Sequence, residues 1–253
     1  MIRGIEQIQK YLGEFTESYA IIGGTACDIL MNSAGLDFRG TKDVDMIVIA
    51  EASSPAFVEK LQEMIRDGGY QRGWTKVDQV FYFRFDKPTN SAFPNMVELF
   101  SRGNALSDLA KDCSYIRLEY STDYSPLSAI LMDDNYYEFA CQGVVTSNGI
   151  SILSEDHLIP LKIRAWIDLS AKKAEGVIVN SEDILKHKRD VFRLCQLVIP
   201  NKIVPVSSVI YGDIQEFLAS LKDSDEIHRI NGMGLQLGFE EIVELLNRKY
   251  QLI

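Results

Sequence analysis

Two aspartates, Asp43 and Asp45, stand two residues apart at the head of an apolar run that continues to Ile49. Alternate residues of a strand point to the same face, so the two carboxylates should project together from Cα atoms roughly 6.5–7 Å apart. Carboxylates this close repel each other unless a cation lies between them. Mg²⁺ (or Mn²⁺) prefers oxygen ligands of this kind. The pair therefore predicts a divalent-metal site, against the plainer interpretation of two hydrated aspartates at the entrance of a strand.

A Gly-Gly-Thr sequence at residues 23–25 lies between a predicted strand and a predicted helix, and Thr25 precedes Asp43 by eighteen residues. Glycine lets a ligand approach the backbone closely, and the N-terminus of a helix favours a bound phosphate. Gly23, Gly24 and Thr25 are therefore candidate phosphate-binding residues. A diglycine on its own is more often a tight turn, so the motif gains its weight from the aspartates that follow.

A third carboxylate would complete a two-metal site, and Glu98 is the candidate. It lies in the sequence MVELF (96–100), whose apolar residues predict a strand that could neighbour the strand of Asp43 and Asp45. Two metal ions about 3.5–4 Å apart stabilise the attacking and leaving oxygens of phosphoryl transfer. The alternative is that Glu98 is a surface glutamate on an edge strand.

The elements that must position these residues follow from the spacing of the apolar side chains. In order, the sequence predicts a helix over 2–15, a strand over 19–24, a helix over 25–34, a strand over 44–50, a helix over 55–67 and an antiparallel pair of strands over 80–85 and 96–100. Strands and helices in this order predict an α/β (α+β) fold with a mixed sheet and flanking helices. We assign residues 1–153 to this predicted catalytic domain.

The remainder, residues 154–253, is predicted to be a helical domain. Before it, residues 136–153 suggest a hairpin that turns at Ser147-Asn148-Gly149. Pro160 is best tolerated in the first turn, so we expect a helix to begin near Ile159. Further expectations are an exposed loop over 172–180, a helix capped by Ser181, and helices over 211–222 and 238–250.

Acidic residues outnumber basic ones by 36 to 26, which gives a net charge of −10. This balance disfavours a protein whose whole surface grips a polynucleotide backbone. The segment 162–193 is an exception, because it holds eight Lys or Arg residues against five Asp or Glu residues. The chain has no run of eighteen apolar residues, no CxxC pair among its four cysteines, and no Walker A or G-x-S-x-G motif, so we expect a cytoplasmic protein without membrane spans, zinc site or P-loop.

The motifs together resemble the polymerase-beta-like nucleotidyltransferase superfamily, and within it the AbiEii-type nucleotidyltransferases. IGGTA at 22–26 and RGTKDVD at 39–45 are similar to the family's G-G-T-A and R-x-T-x-D-x-D. LIPLKIRA at 158–165 and KRDVFRL at 188–194 are similar to its L-x-x-L-K-x-x-A and R-D-x-x-D-L. The resemblance implies a nucleotidyltransferase fold followed by a helical region, and it covers four short segments between residues 22 and 194.

Carried over residue by residue, the resemblance implies that Asp43 and Asp45 bind metal and that the Gly23–Thr25 turn holds the triphosphate. It further assigns Arg39, Lys162 and Asp190 to nucleotide binding. This chain departs from the pattern at Arg193, where the family has a second aspartate. Plainer interpretations are a solvated lysine at 162 and a helix-surface pair between Asp190 and Lys186.

The resemblance implies a Mg²⁺-dependent enzyme that transfers a nucleoside monophosphate from an NTP to a hydroxyl acceptor, with Asp43 and Asp45 as metal-binding and catalytic carboxylates. The family's motifs do not fix the third carboxylate, so the assignment of Glu98 to that role rests on its predicted strand. The acceptor could be tRNA, a protein or a small molecule. The family contains toxins of toxin–antitoxin and phage-defence systems, which would make a cognate antitoxin a partner. The alternative is a non-catalytic nucleotide-binding or interaction module that keeps the fold.

Overall fold

The computed structural model describes residues 3–77, 80–102, 106, 116–117, 130–131, 133–221 and 235–252. The chain forms two compact units. The first unit consists of Met1–Ser128 and Val144–Ser154, and the second of Ala129–Gly143 and Glu155–Ile253. Across the described ranges, no helix has the length and apolar character needed to cross a membrane.

The first unit is built on an eight-stranded mixed sheet with the strand order β6-β3-β4-β5-β2-β1-β8-β7. Its strands are β1 (Tyr19–Ile22), β2 (Asp43–Val48), β3 (Gln71–Val77), β4 (Val80–Asp86), β5 (Met96–Arg102), β6 (Ile116–Arg117), β7 (Val144–Ser147) and β8 (Ile150–Leu153). The central strand β2 runs antiparallel to β1 and parallel to β5. Strands β4 and β5 are antiparallel, as predicted.

The described residues of the first unit form the helices α1 (Ile5–Leu12), α2 (Gly23–Ser33) and α3 (Pro55–Gly68), with a short 3₁₀ turn at Ala50–Ala52. Helix α3 begins after Ser54, whose hydroxyl accepts from the amide of Phe57, and ends at Gly69, whose φ of 62° is the left-handed value that glycine favours. Tyr19 of β1 stacks on Phe57 of α3 with ring centroids 6.3 Å apart. Helix α3 therefore covers the sheet face that carries Tyr19.

The second unit is helical. It contains α4 (Asp134–Gln142), α5 (Glu155–Ala174), α6 (Ser181–Cys195), α7 (Ser208–Ser220) and α8 (Phe239–Lys249), together with a two-stranded parallel sheet of β9 (Val204–Val206) and β10 (Tyr250–Leu252). The predicted fold class, a mixed sheet with flanking helices followed by a helical C-terminal region, is confirmed.

The hairpin predicted within residues 136–153, with its turn at Ser147-Asn148-Gly149, is confirmed over residues 144–153. Ser147 pairs with Ile150, and the two residues between them, Asn148 and Gly149, have φ values of 50° and 73°. These positive values match the tight turn that Asn-Gly favours. The residues before it are not a strand, because Asp134–Gln142 form helix α4, with Asp133 capping its first turn.

The predicted start of a helix near Ile159 is wrong, because α5 begins at Glu155 and contains Pro160 in its interior. Proline has no amide hydrogen, so Pro160 cannot donate to the carbonyl of Asp156 four residues earlier. The hydroxyl of Tyr250 donates to that carbonyl instead, at 2.7 Å. A distant tyrosine thus replaces the missing helical hydrogen bond.

Two other predicted boundaries in the second unit are also corrected. The predicted loop over 172–180 is shorter, since α5 continues to Ala174. Ser181 is the first residue of α6 and not its cap; the side chain of Asn180 accepts from the amide of Glu182 at 3.0 Å. Cys27 and Cys195 are buried thiols, and Cys113 lies outside the described residues.

Candidate functional site

Strand β2 carries both aspartates on the sheet face opposite to α3. Tyr19 pairs with Val48 and Ile22 pairs with Asp45, so Asp45 shares a face with Ile22, and Tyr19 lies on the other face. Asp43 lies two residues before Asp45 and therefore shares its face. Asp43 is exposed and Asp45 is partly exposed, although the strand between and after them is buried. Both residues are therefore in contact with solvent.

Register brings Glu98 beside the aspartates. Asp45 of β2 is paired with Glu98 of β5, and Glu98 is paired with Arg84 of β4. Paired residues on neighbouring strands point to the same face, with backbones about 4.8 Å apart. Arg84, Glu98 and Asp45 thus form one row across three strands. The strand argument for Glu98 as a neighbour of the aspartates is supported by this pairing.

Helix α2 begins where β1 ends, next to the aspartates. Gly23 is its first residue and has a φ of 68°, a left-handed value that strains any residue with a Cβ. The preceding residue, Ile22, has no side-chain acceptor to cap the first-turn amides. Those amides, from Gly23 to Thr25, therefore remain candidate donors to an anion at the positive end of the helix dipole.

A hydrogen bond ties the Gly-Gly-Thr turn to the aspartate strand. The hydroxyl of Thr25, which is fully buried, donates to the backbone carbonyl of Asp43 at 2.6 Å. Thr41 makes a longer contact with the same carbonyl at 3.4 Å. A Cβ placed on Gly24 would lie 3.5 Å from Nη2 of Arg39. The predicted phosphate-binding turn, Arg39 and Asp43 therefore lie together.

Glu98 is buried, with 1% of its surface exposed, so the alternative of a surface glutamate is wrong. Arg84 approaches its Oε1 atom through Nε at 2.9 Å and through Nη2 at 2.8 Å. The hydroxyl of Tyr82, two residues before Arg84 on the same face, donates to the same oxygen. Burial and the neighbouring Glu98 raise the pKa of Tyr82, which therefore remains a hydrogen-bond donor at neutral pH.

Lys162 and Asp190 belong to the second unit and are both buried there. Nζ of Lys162 lies 2.9 Å from Oδ2 of Asp190, and Nη1 of Arg193 lies 3.8 Å from Oδ1. Lys162 is 1% exposed, so the alternative of a solvated lysine is wrong. The pair joins α5 to α6. Arg193, where the family has an aspartate, adds a second cation to Asp190, and the assignment of Lys162 and Asp190 to nucleotide binding stays a prediction.

The aspartate pair suits a magnesium ion in its chemistry. Within the described residues, no group of three or more His, Cys, Asp or Glu side chains is placed so that it could hold a metal ion. Mg²⁺ needs fewer protein ligands, since it is usually bound by one or two carboxylates and completes its shell with water and substrate phosphates. Asp43 and Asp45 supply two accessible carboxylates of this kind. These two residues therefore fit the ion, and Glu98 remains the predicted third carboxylate.

Sequence reasoning missed Arg84 and Tyr82. Both lie in the alternating sequence VFYFRF (80–85), which predicts a strand and gives no sign of a carboxylate partner. The one available signal was an arginine in an otherwise apolar strand, two residues after a tyrosine. Its partner could not be found, because the pairing of Arg84 with Glu98 depends on the register of β4 and β5.

No protein-family model matches this chain, and no curated protein matches it either. Among solved structures, the chain is similar to an antigenic nucleotidyltransferase-like protein from Paracoccidioides brasiliensis, with 15% sequence identity and a TM-score of 0.42 over 94% of this chain and 97% of that one. It is also similar to the Megavirus polyadenylate synthase, with 10% identity and a TM-score of 0.39 over 78% of this chain and 35% of that one. At these values neither likeness assigns an activity, so the function has to be inferred from the residues of the chain itself.

Proposed function

We propose that this chain is a nucleotidyltransferase, which transfers a nucleoside monophosphate from an NTP to a hydroxyl acceptor and releases pyrophosphate. The observation that carries the proposal is the hydrogen bond from Thr25 to the carbonyl of Asp43, at 2.6 Å. It holds a helix N-terminus suited to phosphate beside a strand with two accessible carboxylates suited to Mg²⁺. A triphosphate with its bound metal needs both groups in one place.

The residues of the first unit divide the work by their chemistry. The amides of Gly23, Gly24 and Thr25 bind the β- and γ-phosphates, and Arg39, whose guanidinium lies near Gly24, adds a cation to the same phosphates. Asp43 and Asp45 hold the metal. Mg²⁺, when bound, would neutralise charge that develops on the phosphates.

The reaction itself exchanges one phosphorus–oxygen bond for another. The acceptor hydroxyl gives up its proton to water and its oxygen bonds to the α-phosphorus, while the bond from that phosphorus to the bridging oxygen breaks and pyrophosphate leaves with the electron pair. Glu98 completes the site from the neighbouring strand and polarises the acceptor hydroxyl. Positioning and charge stabilisation account for most of the catalysis in phosphoryl transfer, so a small set of residues suffices.

The test is label transfer. The full chain is incubated with each α-³²P-labelled NTP, Mg²⁺ or Mn²⁺, and a cell extract. Asp43→Asn and Asp45→Asn should each reduce label transfer by more than about 100-fold. Loss of a hydrogen-bonding partner of a metal ligand costs up to about 100-fold, and loss of the ligand itself should cost more. Asp37→Asn, which changes an exposed aspartate of the same unit, is the matched control and should transfer label normally. Normal transfer by Asp43→Asn would refute the proposal.

The acceptor follows from the same labelled product. The resemblance to AbiEii-type proteins supports a toxin-like role in a toxin–antitoxin or phage-defence system, with tRNA or a protein as the acceptor. Label removed by ribonuclease identifies RNA, label removed by protease identifies protein, and label resistant to both but passing a small-pore filter identifies a small molecule. A neighbouring antitoxin gene that suppresses growth arrest on co-expression would support the toxin role.

A second candidate is a nucleotide-binding module without chemistry. The observation in its favour is that Oε1 of Glu98 is already bonded to Arg84 and Tyr82, and that no three-ligand metal group occurs in the described part of the chain. Such a module would bind NTP and Mn²⁺ with loss of affinity in Asp43→Asn, yet transfer no label with any acceptor.

A further inference from the structure

The loop over residues 34–42 leads from the end of α2 to the start of β2 and brings an arginine back to the first turn of the helix. A Cβ placed on Gly24, in that turn, would lie 3.5 Å from Nη2 of Arg39. Gly24 is partly exposed, whereas Gly23 and Thr25 on either side of it are buried. The guanidinium of Arg39 therefore lies at the point where the first turn of α2 meets solvent.

The ring of Phe38 contacts this guanidinium. The Cζ atom of Arg39 lies over the ring, 5.3 Å from its centroid. A guanidinium within about 6 Å of an aromatic ring centroid is attracted by the negative charge of the ring face. Consecutive side chains of a strand point to opposite faces, so this contact between neighbours depends on the irregular backbone of the loop.

We propose that Phe38 is a positioning residue, whose ring holds the guanidinium of Arg39 over the first turn of α2, ready to bind the triphosphate. This inference rests on the proposed function. An arginine side chain has many rotamers, and fixing one of them when a ligand binds costs free energy. A ring that already holds the guanidinium removes part of that cost before the ligand arrives.

An aromatic ring is a suitable support for a cation that binds phosphate. The ring of Phe38 attracts the guanidinium without neutralising its charge, whereas a carboxylate partner would offset that charge. Arginine binds two phosphate oxygens at once through N–H groups at the edge of the guanidinium plane. A ring contact with the face of the cation is compatible with that use of its edge.

The experiment measures the affinity of the full chain for inorganic tripolyphosphate with Mg²⁺, by isothermal titration calorimetry. Tripolyphosphate has neither base nor sugar, so its affinity reports the phosphate contacts alone. Phe38→Leu should weaken binding by about 2–30-fold, the range that a cation–π contact supplies. Phe38→Tyr, which keeps a ring, should bind within about twofold of the original chain. A residue that only fills space would not separate leucine from tyrosine in this way.

A double variant tests whether Phe38 acts through Arg39. Arg39→Met removes the cation and keeps a long side chain, and it should weaken tripolyphosphate binding at least as much as Phe38→Leu does. The double variant Phe38→Leu/Arg39→Met should lose no more affinity than Arg39→Met alone. Additive losses would mean that the ring contributes independently of the arginine, and would overturn the inference.

Phe15 offers the matched control. It is also a partly exposed phenylalanine of the first unit, and its ring lies 6.0 Å from that of Phe57 in α3, on the sheet face away from the aspartates. Phe15→Leu should leave tripolyphosphate affinity unchanged. If Phe38→Leu does not fold, pentafluorophenylalanine at position 38 decides the matter, because it keeps the shape of the ring and removes the negative charge of its face.

Unchanged tripolyphosphate affinity in Phe38→Leu, or in the fluorinated chain where Phe38→Leu fails to fold, would overturn the inference. If these chains lose affinity only for ligands that carry a base, Phe38 contacts the base and the positioning role is wrong. If Arg39→Met weakens binding and the Phe38 variants do not, only the positioning role fails. If the original chain does not bind tripolyphosphate with Mg²⁺, the proposed phosphate site fails and the inference fails with it.

Discussion

At the residue scale, the predictable part of the site is the part encoded by local spacing. Asp43 and Asp45 share a face because alternate strand residues always do. Gly23 is predicted from its place between a strand and a helix, and the structure adds that its backbone is left-handed, a conformation that glycine adopts without strain. Arg84 could not be identified, because its role depends on a partner fourteen residues away whose position is set by strand register.

A pH effect on stability is expected from His157. Its ring lies against Phe139, with ring centroids 4.4 Å apart, and burial lowers the pKa of His157 to about 4. The unfolded chain has an ordinary histidine pKa near 6.5, so it binds the proton first as the pH falls. Stability should therefore decrease below pH 6.5, by about 1–2 kcal/mol between pH 7 and pH 5.

Urea unfolding of the full chain and of His157→Gln at pH 7, 6 and 5 measures this effect. The variant should show a flatter dependence of the free energy of unfolding on pH, since glutamine does not titrate. The other histidines and the carboxylates are present in both chains, so their contributions to the pH dependence cancel when the two chains are compared. Identical slopes for the two chains would show that His157 is not held neutral in the folded state.

At the element scale, sequence periodicity found the elements whose signals are local and missed those that depend on distant contacts. Helix α3, with its Ser54 cap and Gly69 terminus, follows the expected pattern closely. Helix α5 does not, because Pro160 should have begun it and instead lies inside it. The compensating donor is Tyr250, which lies 94 residues after Asp156, the residue whose carbonyl it satisfies. A local sequence pattern cannot predict a hydrogen bond between residues so far apart in the chain.

The hydrogen bond from Tyr250 to helix α5 should contribute measurably to stability. Tyr250→Phe removes the donor to the carbonyl of Asp156 and should lower the free energy of unfolding by about 1–3 kcal/mol, the cost of a buried unsatisfied acceptor. Pro160→Ala restores an amide at the position where a regular helix would supply this donor. In the Pro160→Ala variant, Tyr250→Phe should therefore lower the free energy of unfolding by clearly less than it does in the original chain.

Denaturant unfolding of the two single variants and the double variant gives the coupling between Tyr250 and Pro160. We expect Tyr250→Phe to lower the free energy of unfolding by less when residue 160 is alanine, because the amide of that alanine can donate to the carbonyl of Asp156 in place of the tyrosine hydroxyl. Equal costs of Tyr250→Phe in both backgrounds would mean that the hydroxyl of Tyr250 does not replace the missing helical hydrogen bond.

At the scale of the whole molecule, the chain passes between its two units three times, at residues 128–129, 143–144 and 154–155. The sequence pattern indicates only the last of these points, since predominantly helical patterns begin after Ser154. Helix α4 belongs to the second unit because of tertiary contacts. For example, the hydroxyl of Tyr136 in α4 donates to Asp213 in α7 at 2.6 Å. The residues proposed to bind the metal and the triphosphate belong to the first unit, whereas Lys162 and Asp190, whose part in nucleotide binding stays a prediction, belong to the second.

The most direct test of the metal site is anomalous X-ray diffraction from crystals grown with Mn²⁺ and a non-hydrolysable NTP. The proposal predicts a manganese peak about 2.0–2.3 Å from carboxylate oxygens of both Asp43 and Asp45, with the triphosphate at the first turn of α2. A bound nucleotide elsewhere on the chain, with no manganese peak between the two aspartates, would contradict it.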